Sequence, residues 1–262
     1  MFTRTMVFAA TCGALTFGCS TDQPRDSADE QQEIIDNLVA VGYQADDIRV
    51  VDGAVIVGND AVVNLLASRE MLQPDASADG KEQFRTTNLV ATSVTNICVN
   101  GAAFTGTFST ALNAAIANYN ALGLTFHMTR TTGSTTGCSA TITARLDSSG
   151  GGSSGFPSGG RPFNTINIGS SLRTSVPVST ITHVITHELG HTIGFRHSDF
   201  FNRAISCGGA ASNEGTAGIG AILIPGTPST AVVGGSIMNS CFRQTETGRF
   251  TSSDITALNA LY

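Results

Sequence analysis

His187-Glu188-Leu189-Gly190-His191-Thr192-Ile193-Gly194-Phe195-Arg196-His197 holds three of the chain's five histidines. The first two stand four residues apart, and the third follows six residues later. Residues four apart share one face of an α-helix, one turn from each other. A helix over about 180–193, with an N-cap hydroxyl in Val178-Ser179-Thr180-Ile181, therefore sets His187 beside His191. Two imidazoles so placed can grip one zinc ion, which takes nitrogen ligands at about 2.0–2.1 Å. A continuing helix rises about 1.5 Å per residue and would carry residue 197 about 9 Å past His191, out of reach of the same ion. The helix must stop and the chain must return. Gly194 suits that turn, because glycine enters the left-handed region without a Cβ penalty.

Three histidines leave one coordination position open, the mark of a catalytic rather than a structural zinc site. Water bound there has a pKa of about 7. Glu188, next to the first ligand, is placed to take that water's proton and return it to a leaving amine, which is the chemistry of peptide hydrolysis.

The pattern His187-Glu188-x-x-His191-x-x-Gly194-x-x-His197 resembles the metzincin zinc signature. Ser236-Ile237-Met238-Asn239 looks like the Met-turn of that clan, and residues 250–262 resemble the last helix of matrixin-like catalytic domains. The protease B-type bacterial metallopeptidases, which carry H-E-I-G-H, are more similar still; here Leu189 replaces the isoleucine. That likeness runs through Gln83-Phe84-Arg85-Thr86-Thr87-Asn88-Leu89-Val90 and Gly155-Phe156-Pro157-Ser158-Gly159-Gly160. It covers roughly 83–262, and more loosely 34–72. The resemblance implies an α+β, metzincin-like zincin domain with a twisted sheet, an active-site helix and a small C-terminal lobe carrying the Met-turn. It also implies an exported endopeptidase acting on protein or peptide, with one zinc held by His187, His191 and His197. Glu188 would be base and acid, and Met238 would support the ligands from below. Position 240 is Ser, so the tyrosine that astacins and serralysins bring to the metal is missing. Ser240 and Phe242 are expected in the wall of the S1′ pocket.

Only 13% of the residues are charged, tryptophan is absent, and Lys81 is the single lysine. Residues 1–84 carry 14 acids and 5 bases, whereas 85–262 carry 6 acids and 9 bases. The charge break coincides with Pro74-Asp75-Ala76-Ser77-Ala78-Asp79-Gly80, which reads as a linker. Neither part has a basic stripe with interleaved aromatics, so nucleic acid is not an expected partner. Six carboxylates in 85–262, Glu188 among them, leave little for several calcium cages. A monomer is expected.

The chain therefore divides into 1–18 as a signal peptide, 19–33 as a polar tether, 34–80 as a small N-terminal module and probable pro-region, and 84–262 as the catalytic domain. Arg4 followed by the apolar Met6–Phe17 run resembles an export signal too short to span a membrane. Thr16-Phe17-Gly18-Cys19 resembles a lipobox, with Cys19 as the lipidated residue; ordinary cleavage after Gly18 is the alternative. The expected location is outside the cytoplasm, at the cell surface or free. Cys98, Cys138, Cys207 and Cys241 then face an oxidising compartment. Four cysteines allow three pairings, of which Cys98–Cys138 with Cys207–Cys241 is the expected one. The module has no cysteine to cap a metal, which excludes latency by a cysteine switch.

Periodicity predicts helices at 34–41, 61–71 and 108–122, the last burying Ala111, Leu112, Ala115, Ile116 and Tyr119. Strands are expected around Asp52-Gly53 and at 89–99, 124–129, 140–146 and 165–168. The glycine-rich run at 150–157 reads as an edge strand over the cleft, open to extended substrate, or as a flexible loop. His127 reads as structural. His183 lies four before His187 and could compete as a ligand, but eight residues from His191 it cannot share one ion with both. Asp199 is either a hydrogen-bond partner of a ligand histidine or a surface charge. A tethered binding protein with a non-catalytic zinc site is the alternative function. It needs a fourth protein ligand, from Asp199 or His183.

Overall fold

The computed structural model describes residues 27–73, 83–215, 221–228 and 230–262. The segment expected to be a signal peptide, Cys19 and the expected linker at 74–80 lie outside them. Among the described residues no helix is long and apolar enough to cross a membrane.

The N-terminal module runs α1 (Ser27–Ala40), β1 (Arg49–Val51), β2 (Ala54–Val57), β3 (Ala61–Val63) and α2 (Leu65–Met71). Helix α1 starts inside the stretch expected to be an unfolded tether. Asp29 and Glu30 fill its first turn, where carboxylates complement the helix dipole, and Ile34 and Leu38 bury its inner face. Strands β1 and β2 form a hairpin whose turn, Asp52-Gly53, has φ of 50° and 82°. The expected helix at 61–71 is a strand followed by a helix. Asn64 accepts from Ala67 N and starts α2 there, which frees Ala61–Val63 to pair with β2.

The remainder runs β4 (Phe84–Arg85), β5 (Asn96–Asn100), α3 (Gly106–Asn120), β6 (His127–Thr131), β7 (Ala140–Asp147), β8 (Gly152–Gly155) and β9 (Thr165–Gly169). It continues with α4 (Leu172–Ser175), α5 (Val178–Thr192), α6 (Ala204–Cys207), β10 (Ile222–Leu223) and α7 (Ser252–Leu261). The expected strand at 89–99 shrinks to β5. Helix α3 buries Phe108 together with the five residues its periodicity singled out. Large apolar side chains so buried contribute about 1.5–3 kcal/mol each. They meet the inner side chains of α5, Ile181, Val184, Ile185 and Leu189, in the main core.

Mixed α+β architecture results, built on an eight-stranded sheet in the order β1-β2-β3-β8-β9-β7-β5-β6. Strands β9, β7, β5 and β6 are parallel, and β8 is antiparallel to β9. The glycine-rich run is therefore a strand, but in this chain it is not an edge. Strand β3 of the module pairs with it in parallel, Ala61 opposite Ser154 and Val62 opposite Gly155. Module and main body share one sheet, and a second core around Ile34, Leu38, Val57 and Met71 of the module also takes in Phe156 of the main body. Disulfides join Cys98 to Cys138 and Cys207 to Cys241, the second tying α6 to the segment just past Met238.

Candidate functional site

Helix α5 is buried from Thr180 to Thr192, so its orientation is fixed on all sides. Its N-cap is Pro177 rather than a hydroxyl. Ser179 and Thr180 lie inside the helix, and Thr180 Oγ1 instead donates to Gln244 O at 3.0 Å. The helix ends at Thr192, and Gly194 takes φ of 110°. A Cβ at Gly194 would come within 2.5 Å of Asn88 O, so the turn also needs glycine for space. Phe195 N closes back on Gly190 O, and the chain returns towards the helix with His197.

The three histidines are anchored alike. Each donates through Nδ1: His187 to Ile237 O at 2.8 Å, His191 to Phe195 O at 2.7 Å, His197 to Glu214 Oε1 at 2.6 Å. A carbonyl or carboxylate can only accept, so each Nδ1 carries a proton; His187 and His191 are left with an Nε2 lone pair, and His197 offers one when a metal ion takes the place of the proton it would share with Asp60 Oδ2. The three Nε2 atoms face one another, His187 lying 3.0 Å from His191 and 3.3 Å from His197. Nitrogens that converge so closely suit a cation placed among them. The donor set suits zinc.

Two acidic residues complete the arrangement. Asp60, from the turn before β3, places Oδ2 3.1 Å from His197 Nε2 and 3.6 Å from His187 Nε2, with Oδ1 3.6 Å from His191 Nε2. Burial opposes its ionisation, but the positive charge of protonated His197, with hydrogen bonds from His187 and His197, outweighs burial in the metal-free chain and holds the carboxyl well below the usual range. The four side chains form one group able to hold a metal ion. Glu214 holds His197 and also pairs with Arg196 at 3.3 Å and Arg203 at 3.7 Å. Burial opposes the Glu214 anion too, and His197 and Arg196 outweigh it.

Asp199, the expected partner of a ligand histidine, is buried but serves elsewhere. It accepts from Ser206 Oγ at 2.6 Å and from Ser240 N and Oγ at 2.9 and 2.8 Å. His183 lies outside the metal group. It faces Glu246 at 3.7 Å, and burial followed by the neighbouring His187 pulls its pKa down to about 4. His127 is an exposed strand residue.

Met238 packs its sulfur against the helix where Gly190 leaves room; a Cβ there would lie 2.6 Å from Sδ. The turn around it is held by Asp254 at the N-terminus of α7. That carboxylate accepts from Ser236 Oγ at 2.6 Å, Ile237 N at 3.0 Å and Thr251 N at 2.8 Å. Ile237 in turn offers its carbonyl to His187.

Glu188 is buried, and its Oε2 has no hydrogen-bond partner among the described residues. Burial, then the nearby Asp60 charge, raises its pKa well above the usual carboxylate value. Gly152 of β8 leaves space for this carboxylate, because a Cβ there would overlap Glu188 Oε1. A cavity of about 170 Å³ opens beside it, lined by Gly151, Gly152, His183, Val184, Ser240 and Phe242, with Asn59 and Asp60 at its side.

Among solved structures, myroilysin is 12% identical, with 67% of this chain and 95% of that chain covered at a TM-score of 0.38. High choriolytic enzyme 1, a hatching-enzyme zinc-protease of the medaka fish Oryzias latipes, is 14% identical, with 67% and 92% covered at a TM-score of 0.37. At that distance neither neighbour's activity transfers to the chain. No curated protein gives a significant match. The model of the dual-action HEIGH metallo-peptidases matches residues 55–262, a range that includes Asp60, His187 to His197 and Met238. The chain belongs to that family and is a zinc metallopeptidase.

Proposed function

We propose that this metallopeptidase is an exported endopeptidase in which His187, His191 and His197 hold one zinc and Glu188 moves the proton. The observation that carries it is the partnerless, buried Glu188 Oε2 beside three converging Nε2 atoms. Zinc, when bound, acidifies its water and polarises the scissile carbonyl. Glu188 accepts the water's proton at its carboxylate and passes it to the leaving amine. Its desolvated surroundings suit that task, because a raised pKa makes the anion a stronger base and the acid form easier to reach. Ile237 O, Phe195 O and Glu214 fix the three rings, so no ligand has to reorient during turnover. The cavity lined by Val184, Ser240 and Phe242 receives the substrate side chain beyond the cut bond. Export rests on the N-terminal sequence and on two disulfides, which form and persist in oxidising compartments.

One observation favours the second reading, a closed and non-catalytic zinc site: Asp60 supplies a fourth donor. Neither Asp199 nor His183 does. Against it stands Glu188, buried without a partner in a site where a structural ion would give it no work. The test is Glu188→Gln. It should keep about one zinc per chain and lose about 10²–10⁴-fold in casein cleavage. Cleavage at the wild-type rate would remove Glu188 from the mechanism.

A further inference from the structure

The fourth donor of the metal group does not belong to the lobe that holds the other three. Asp60 sits in a tight turn, after Gly58 and Asn59 with φ of 63° and 77°, and its side chain points into the histidine cluster. Its Oδ1 is buried and has no hydrogen-bond partner among the described residues, which leaves a cation between the Nε2 atoms as its natural complement. The backbone next to it is fastened to β8: Ser154 N donates to Asp60 O at 2.9 Å, and Phe156 N to Val62 O at 3.4 Å. Strand β8 carries Gly152, against which the Glu188 carboxylate packs. The same few residues thus fill the position that hydrolysis needs for water and the strand edge that an extended substrate would use.

The join is narrow. Strand β3 meets β8 at two register pairs, and the module's small core takes one buried side chain from the main body, Phe156. Ion pairs, hydrogen bonds and a cation–ring contact also cross the junction. Arg203 pairs with Asp47 at 3.1 Å, Asn88 Nδ2 donates to Glu70 at 2.9 Å, and Arg196 lies over the Tyr43 ring at 4.3 Å. A ligand carried by such a body can leave without dismantling the three-histidine site.

We propose that Asp60 is a removable fourth zinc ligand, and that residues 59–63 form a built-in inhibitory strap that keeps the full chain latent until it is displaced. This inference rests on the zinc peptidase reading above and adds the regulation of that site.

The test uses the full exported chain, residues 20–262, with Asp60→Ala and the near-isosteric Asp60→Asn. Zinc content, the visible spectrum of the cobalt(II)-substituted protein, binding of acetohydroxamic acid as a metal-directed probe, and casein cleavage are measured on all three. Both variants should keep about one zinc, show an altered cobalt spectrum, and bind the hydroxamate and cleave casein about tenfold or more better than wild type, as expected if under about a tenth of the wild type is open. An unchanged cobalt spectrum and unchanged hydroxamate affinity in both variants would overturn the assignment. Loss of zinc from both would overturn it as well, because Asp60 would then be a structural ligand. Wild type cleaving casein as fast as the variants would refute latency and leave the peptidase intact. Variants that open the metal to hydroxamate yet cleave nothing would instead sink the peptidase reading, with the Asp60 assignment standing.

Discussion

Glu214 offers the sharpest test of how the metal grip is built. One carboxylate accepts from His197 Nδ1 at 2.6 Å and pairs with the Arg196 guanidinium at 3.3 Å, and all three side chains are almost fully buried. Glu214→Ala removes both. Loss of a hydrogen-bond partner behind a metal-ligating histidine costs about 10–100-fold in metal affinity, or about 1.4–2.7 kcal/mol. Loss of one partner from a buried ion pair costs about 3–5 kcal/mol of stability, softened here because Arg196 also stacks on Tyr43 and Phe200. Glu214→Gln keeps an acceptor for Nδ1 and loses only charge, so it should weaken zinc less than alanine while losing comparable stability. The carboxyl is held below its ordinary value of 4.5, so its stabilisation is complete above that pH and fades as the pH falls through the folded-state pKa. Glu214→Gln should accordingly flatten the acid limb of the stability curve. Zinc affinity is read by chelator competition and stability by urea unfolding. Asp199→Ala is the control: it should loosen the Ser206 and Ser240 loops and leave zinc affinity within about threefold, because Asp199 touches no ligand histidine. If Asp199→Ala weakened zinc and Glu214→Ala did not, the assignment of Glu214 would be wrong.

Gly152→Ala should act on chemistry rather than metal. The added methyl displaces the Glu188 carboxylate, so peptidase activity should fall about 10²-fold with zinc content unchanged, and activity near wild type would show that Glu188 has room to spare. Gly194→Val combines a strained φ with a clash at Asn88 O, and zinc content measured after dialysis should fall with stability by at least about 2 kcal/mol. Cys207→Ser with Cys241→Ser opens a crosslink of sequence separation 34, which in the chain-entropy picture costs about 4 kcal/mol in thermal or urea unfolding; an unchanged midpoint would contradict it.

The convergence of the three histidines was legible because their spacing is local. Helical periodicity joins His187 to His191, and one glycine explains His197. Glu214 was not, because it stands in a long loop with no periodicity. Asp199 drew attention by being near His197 in sequence, yet two serines compete for it in space. With only six carboxylates after residue 84, Glu214 was on a short list, and a burial signal would have singled it out. Asp60 carries even less signal. It is one acid in an acidic module, and the apolar run after it satisfies a helical template as well as a strand, the usual ambiguity of short apolar stretches. The same ambiguity hid β3, and with it the fact that β8 has a neighbour. Helix α3 and strands β7 and β9 were read correctly, since their burial pattern repeats over enough residues to exclude the other period.

The Asp254 carboxylate has a consequence for the order in which the molecule can come into being. It fastens the turn whose Ile237 carbonyl holds His187, and it also accepts from Gln83 Nε2 at 3.0 Å, 171 positions earlier in the chain. A ribosome releases the zinc motif well before it releases this residue. Until residues 237–254 have emerged, His187 lacks its carbonyl partner and the carboxylate that fastens that turn, so a chain cut before Asp254 should hold metal less tightly. Contacts of such sequence separation form late in folding. The grip on His187 is thus completed only once residue 254 has been made, well after the histidines themselves.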